Sequence, residues 1–465
     1  MKPTPPSRFL FAFLFLTAVA AVLWVLSHYT GLAIPTAVLR ASRWLALAGF
    51  CGYAFARRSL TPWIFAGMLI GAEIGYDWPH AAVSLQVLSA IFLRLIKTIV
   101  APLIFGTLVV GIAGHSNLKQ VGRMGIKAII YFEVITTLAL VIGLAAINIS
   151  HAGVGVKPDP HAVAGPLASQ PQSASDTILH IFPENIAKAV AEGQILQVVV
   201  FSVIFAIALA LAPENKRKPM LAFCESLTEV MFKFTKIVML FAPIGVAGAM
   251  AYTIGTMGLE VLKHLFALLA TLYVALLFFF AFVLLPVVLI ARLPLKKLLQ
   301  ALAEPVSIAF ATASSEAALP RAMESMEAFG VPRQIVAFVL PAGYSFNLDG
   351  STLYLSLASV FVAQAAGIHL SLGQQIVMML TLMLTSKGVA GVPRAMLVIL
   401  SATVDSFQLP AWPVLVIFGI DQLMDMGRTA TNVLGNCLAT AVIARWEGEL
   451  GKASSSPATL DAVAH

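Results

Sequence analysis

Long apolar runs separated by short polar or basic connections dominate the chain. Residues 9–27 form the first run, after Lys2 and Arg8, and 41–56 form a weaker one that ends at Arg57-Arg58. Runs follow at 61–76, 83–114, 128–149, 195–211, 230–251 and 265–290. A helix needs about 20 apolar residues to cross the hydrocarbon of a bilayer, and a spanning segment must satisfy its own backbone groups. The apolar positions here are continuous rather than alternating, so the pattern predicts an all-α polytopic membrane protein.

The connections orient it. Basic residues gather at Lys119, Arg123 and Lys127 within 116–127, at 214–218, and at Arg292, Lys296 and Lys297. From residue 57 onward they recur on alternate connections, as the positive-inside rule requires of cytoplasmic loops. Residues 77–80 and the Pro-, Gly-, Ser- and His-rich stretch 150–185 are then outer connections. The 9–27 run has the form of a signal peptide or an uncleaved anchor, and the anchor is favoured because no small-residue cleavage site precedes the next run. With Lys2/Arg8 and Arg57/Arg58 both cytoplasmic, residues 1–58 cross twice; Arg40 and Arg43 leave that second crossing open. Residues 449–465 are polar and small and read as a disordered tail.

After Lys297 the pattern changes. Apolar segments 305–319 and 377–404 are interrupted by Thr312-Ala313-Ser314-Ser315-Glu316 and by Ser386-Lys387-Gly388-Val389-Ala390-Gly391-Val392-Pro393. Each predicts two half-helices meeting at a break, a re-entrant hairpin. Irregular backbone at membrane depth belongs where it is buried or lines a cavity. Each hairpin precedes a helix with a polar centre. The first, 335–364, carries Asn347-Leu348-Asp349-Gly350-Ser351. The second carries Asp421, Asp425, Arg428, Asn432 and Asn436, whose spacing of four, three, four and four makes one helical stripe. Hairpin then helix, twice, is the inverted-repeat pattern that places a binding site at the repeat interface.

Composition narrows the classes. Of 465 residues, 59% are hydrophobic and 11% charged, against roughly 25% charged in soluble domains, and the mean hydropathy is +0.92. The net charge of +7 resides in short loops and carries no nucleic-acid signature. Cys51, Cys224 and Cys437 lie far apart in apolar segments and form neither a disulfide framework nor a metal site.

The polar residues suggest what binds. Half-helix N-termini suit a carboxylate, and Ser314 and Ser315 add hydroxyl donors. Arg428 is a bidentate carboxylate binder, and Asp425 pairs an ammonium. Together they fit an acidic α-amino acid. The Asn347–Asp349 break frees hard oxygens for a small cation. Plainer readings stand beside these: an Asp425–Arg428 ion pair that only packs helices, and a kink satisfied by its neighbours. An intramembrane aspartyl protease built on Asp349 and Asp425 requires two acids sharing a proton, which Arg428 one turn away opposes. An anion channel fits two gated hairpins less well than transport of a bound substrate. The chain is therefore read as a transporter, not an enzyme, with no cofactor.

Ser314-Ser315-Glu316, Asn347-Leu348-Asp349-Gly350-Ser351, Ser386 to Pro393, and Asp425-Met426-Gly427-Arg428-Thr429-Ala430-Thr431-Asn432 resemble the dicarboxylate/amino acid:cation symporters, the glutamate transporter family. The resemblance covers residues 60–448. It implies eight transmembrane helices plus two re-entrant hairpins, beyond one or two extra N-terminal hydrophobic segments. It also implies a homotrimer in the bacterial inner membrane, with an elevator motion of a transport domain (298–448, with the third and sixth helices) against a scaffold drawn from 59–297. Arg428, helped by Ser351, would hold the substrate's side-chain carboxylate, and Asp425 its amino group. Asn432, Ser315 and Thr429 would hold its main-chain end, with backbone at Gly391 and Val392 forming the outer gate. Dicarboxylate-specific relatives typically lack the acid matching Asp425, so L-glutamate or L-aspartate is favoured over succinate or malate.

The coupling ion departs from sodium-coupled members. They carry Gly-Asp where this chain has Gly435-Asn436, and Tyr and Thr where it has Phe132 and Ile135. The Gly-Asn form, with Ser-Ser-Glu and Asn-Leu-Asp-Gly, resembles proton-coupled bacterial glutamate transporters. Candidate proton carriers are Glu133, Asp349 and Asp421, since desolvation favours the protonated form of a buried carboxyl. Pairing of Glu133 with Lys387 or Arg94 is the alternative. If sodium binds instead, Asn347, Asp349 and Asn432 are its candidate ligands. Lys387 and Arg394 add positive charge to the second hairpin.

Overall fold

A computed structural model describes residues 6–30, 33–57, 59–113, 118–156, 182–191, 195–386 and 395–451, and every regular element among them is helical. In order these are α1 (Pro6–Tyr29), α2 (Thr36–Arg57), α3 (Leu60–Asp77), α4 (Pro79–Ser84), α5 (Gln86–Ala113), α6 (Leu118–Ser150), α7 (Ile186–Ala191), α8 (Ile195–Leu211), α9 (Glu214–Met239) and α10 (Ala242–Met257). Then come α11 (Val261–Phe279), a π-helical turn (Phe280–Leu284), α12 (Leu285–Ile290), α13 (Leu295–Thr312), α14 (Ser315–Phe329), α15 (Arg333–Phe346), α16 (Asp349–Ala365), α17 (Leu372–Thr385), α18 (Ala395–Ser406) and α19 (Trp412–Trp446). The lack of strands among the described residues follows from the unbroken apolar runs: a helix pairs its own backbone at membrane depth.

The apolar runs become helices, with two differences in extent. The 116–127 connection is largely helical, because α6 starts at Leu118 and runs without interruption into the apolar segment. The run at 230–251 is bent by 49° between α9 and α10. Most of the 150–185 connection lies outside the described residues, as does 452–465. Residues 449–451 turn back on the bundle, where the Gly451 amide donates to Gly330 O at 2.9 Å.

The first interruption after Lys297 takes the expected form, and the second lies almost wholly outside the described residues. In the first hairpin α13 and α14 pack against each other and meet at Ala313, in the left-handed region (φ 49°), and at Ser314, the N-cap of α14. Ser314 Oγ accepts from the Ala317 amide at 3.3 Å, one of the donors a helix start leaves unpaired. In the second hairpin α17 and α18 pack together, and the tip, with Lys387, Gly391, Val392 and Arg394, lies outside the described residues. The polar-centred helix 335–364 is two helices: α15 ends at Phe346, and Asn347 and Leu348 are non-helical before α16 begins at Asp349. All of α19's polar stripe is buried, and α19 packs against α13, α15 and α16. The interrupted elements thus wrap the one long polar helix.

Candidate functional site

The stripe on α19 assembles a charged cluster. Arg428 is fully buried and held from its own helix. Its Nε donates to Asp425 Oδ1 at 2.8 Å, and Nη1 and Nη2 donate to the two oxygens of Asp421 at 3.0 and 3.3 Å. The spacing explains this: Asp421 and Asp425 are seven and three residues before Arg428, one turn apart on the same face. From α16, the Tyr354 ring lies 4.2 Å from the guanidinium carbon, within cation–π range, and its hydroxyl donates to Asp421 Oδ1 at 3.4 Å. Thr429 Oγ1 donates to Asp425 Oδ1 at 3.1 Å. One turn on, Asn432 Nδ2 donates to Ser351 Oγ at 2.9 Å, and Asn432 Oδ1 accepts from the Ser351 amide at 3.2 Å.

Gly350 makes this docking possible. A Cβ there would run into the backbone carbonyl of Arg428, so a side chain would push the start of α16 away from the site. The Asp421 and Arg428 side chains are wholly buried, whereas Asp425 keeps 9% of its side chain exposed. Asp425 is therefore the charged group of the three that an incoming ligand can reach without prior rearrangement. The Asp425–Arg428 ion pair is formed, and Asp421 joins it as a second counter-ion.

A second polar cluster lies where the α15–α16 break meets α19. Asn347 Nδ2 donates to Asp349 Oδ2 and to Asn436 Oδ1, each at 3.1 Å. Gly435 leaves room for this cluster, since a Cβ there would overlap Asp349 Oδ2 and push that carboxylate off Asn347. Among the described residues Asn347 Oδ1, Asn436 Nδ2 and the Tyr131 hydroxyl are buried with no hydrogen-bond partner, and Tyr131 is within electrostatic reach of Asp349. An orphaned buried polar atom costs about 1–3 kcal/mol, so this cluster has hydrogen-bonding capacity left over for a small polar guest. Phe132 and Ile135 are buried and offer no side-chain oxygen to it.

The remaining candidates fall elsewhere. Ser314 lines a cavity of about 270 Å³ with Leu60, Phe232, Thr235, Lys236, Met239 and Glu316, and its hydroxyl is turned to capping α14. Ser315 is half-buried beside it. Glu133 is half-buried on α6, one turn before Thr137, whose hydroxyl meets Met383 of α17 at 3.5 Å. That places Glu133 toward α17 of the second hairpin. Tyr354 and Tyr131 are additions to the predicted set. Tyr354 was discoverable, because it lies three residues after Ser351 on the same helical face. Tyr131 carries no comparable signal.

The profile of the Sodium:dicarboxylate symporter family matches residues 60–446. The chain is 44% identical over 397 residues to the "Proton/glutamate-aspartate symporter" of Escherichia coli (strain K12), covering 82% of this chain and 90% of that protein. It is 42% identical over 402 residues to the "Proton/sodium-glutamate symport protein" of Bacillus subtilis (strain 168), covering 84% and 94%. It is 40% identical over 400 residues to the "C4-dicarboxylate transport protein" of Laribacter hongkongensis (strain HLHK9), covering 84% and 90%.

Proposed function

The chain belongs to the sodium:dicarboxylate symporter family, and from that premise we propose that it is a secondary active symporter that takes up L-glutamate or L-aspartate together with protons. It is a multi-pass protein of the bacterial inner membrane, and its work is transport, not catalysis. The observation that carries the substrate is the buried Arg428 flanked by Asp421 and Asp425. Arg428 takes the side-chain carboxylate, supported by Ser351. Asp425 turns from Arg428 to the ammonium. Thr429, Asn432 and the hydroxyls of Ser314 and Ser315 receive the main-chain carboxylate as the first hairpin closes on it, and backbone at Gly391 and Val392 closes the outer gate.

Charge supports cation coupling. The cluster holds one more carboxylate than guanidinium, and an acidic amino acid brings a further net negative charge. Buried charge must be paired or neutralised, so the loaded site requires cations or protons to travel with the substrate. Asn436 favours the proton: where a carboxylate would ligate sodium, an amide supplies a neutral oxygen and a donor. Asp349, Asp421 and Glu133 are the carriers, with Asp349 nearest Asn436. The two hairpins, α15, α16 and α19, with α6 and α11, form the transport domain; the remaining helices between 59 and 297 form the scaffold of a homotrimer, and the hairpin domain moves against it as an elevator.

The second reading, a C4-dicarboxylate symporter, draws on the relative of that name; Asp425 disfavours it, having no ammonium to meet in succinate. Sodium coupling is the third, drawn from the Bacillus subtilis relative. Uptake of labelled L-glutamate into proteoliposomes tests the proposal: an inward proton gradient drives accumulation without sodium. Accumulation that follows a sodium gradient alone, or succinate taken up in preference to glutamate, contradicts it.

A further inference from the structure

The family match begins at residue 60, and α1 and α2 lie wholly before it. The two pack against each other, with the Phe13 and Phe50 rings 4.9 Å apart. α2 then lies against α3, where the polar contacts concentrate at one end. Arg43 Nε pairs with Glu73 Oε2 at 2.7 Å, and Arg43 Nη2 with Asp77 Oδ1 at 2.6 Å. Arg40 Nε reaches Asp77 Oδ1 at 3.3 Å, and Trp44 Nε1 donates to Asp77 Oδ2 at 2.9 Å. Aromatic rings close the clasp: Arg40 lies 5.2 Å from the Trp78 ring, Arg43 5.0 Å from that of Tyr76, and Trp44 5.6 Å from Trp78. The Asp77 side chain is left only 3% exposed.

The ends agree with a membrane. α1 and α2 have 24 and 22 residues, about 33–36 Å each at 1.5 Å per residue, the length of one crossing apiece; α1 is also apolar enough to span, whereas α2 carries Arg40, Arg43 and Arg57 and crosses with those arginines paired or at its ends. Two crossings bring Arg57 to the side of Arg8, and α3 returns the chain so that Asp77 meets the outer end of α2. Two arginines on the outer side run against the positive-inside bias; Glu73 and Asp77 neutralise both. The side of α1 away from the clasp is apolar and exposed at Phe11, Leu14, Phe15 and Val22, as a lipid-facing surface must be.

We propose that residues 6–57 are a retained two-span unit of this transporter, docked on the outer end of α3 by recognition of Glu73 and Asp77 through Arg40, Arg43 and Trp44. The unit is neither a cleaved leader nor a loose anchor: it gives the carboxylates at the outer end of α3 their counter-ions and extends the perimeter that faces lipid. This stands independently of the substrate and the coupling ion.

The test uses the full chain purified from its membrane. Its intact mass includes residues 6–57, and loss of that segment from the mature protein overturns the proposal. Arg43→Gln and Asp77→Asn each lower the unfolding temperature in lipid nanodiscs. The double variant falls by less than the sum of the two single losses, because both remove the Arg43–Asp77 pair while each also removes contacts of its own, Arg43 with Glu73 and Asp77 with Arg40 and Trp44. Fully additive losses, or no loss in either single variant, overturn the clasp.

Discussion

Asp425→Asn separates the two halves of the proposed grip. In the resting site Asp425 Oδ1 accepts from Arg428 Nε at 2.8 Å and from Thr429 Oγ1 at 3.1 Å. An asparagine oxygen in the same place still accepts both, and Asp421 still holds Arg428 through two nitrogens. The variant therefore folds, with a resting cost of about 1 kcal/mol for exchanging a charge-assisted bond for a neutral one. The substrate ammonium, in contrast, loses its counter-charge. Removing one partner of a buried charge pair costs about 2–5 kcal/mol, roughly 30-fold to several-thousand-fold in affinity. Isothermal titration with L-glutamate and with succinate reads the difference: glutamate binding falls by that factor while succinate binding holds or improves. Equal losses for both ligands, or unchanged glutamate affinity, refute the assignment of Asp425 to the ammonium.

Other substitutions probe the second cluster and its borders. Asn347 Nδ2 bonds both Asp349 and Asn436 at 3.1 Å, which keeps their bonded oxygens within about 6 Å. Asn436→Asp therefore sets two carboxylates against each other at about 3 kcal/mol for an effective dielectric of 20. Such a pair demands a cation, and sodium is expected to stimulate glutamate uptake by the variant and not by the parent; indifference to sodium argues against Asn436 as the discriminating group. Gly435→Ala forces a methyl onto Asp349 Oδ2; overpacking of about 1–3 kcal/mol lowers the unfolding temperature and disables transport, and a normal variant contradicts the packing described. Tyr354→Phe, which keeps the ring and loses a 3.4 Å bond, changes glutamate affinity less than fivefold. Tyr354→Leu also loses a cation–π contact worth about 1–2 kcal/mol and weakens glutamate about tenfold, as equilibrium binding will report.

The architecture was legible because each membrane constraint leaves a mark in the sequence. Apolar runs mark crossings, Ser-Ser-Glu and Asn-Leu-Asp-Gly mark broken backbone, and the spacing of Asp421, Asp425 and Arg428 brings them onto one helical face. Asp421 was the less legible member. Its spacing puts it on the stripe, but only the fold shows both its oxygens on Arg428. Tyr131 was hidden because its nearness to the charge of Asp349 depends on the packing of α6 on α16, between distant segments, which no local pattern records. Ser314 was legible as a hairpin break; that it also shares a cavity with Lys236 of α9 depends on tertiary packing that the local pattern does not record. Arg40 and Arg43 looked like obstacles to a crossing until Glu73 and Asp77, on the next helix, supplied their partners.

The central claim is that an acidic amino acid and protons enter together, and it is read most directly by recording both. Proteoliposomes carrying an internal pH indicator, free of sodium and held at constant membrane potential, receive L-glutamate from outside. The lumen acidifies as labelled glutamate accumulates, and Asp425→Asn abolishes both signals. Glutamate accumulation without luminal acidification, or accumulation that waits for sodium, contradicts the account.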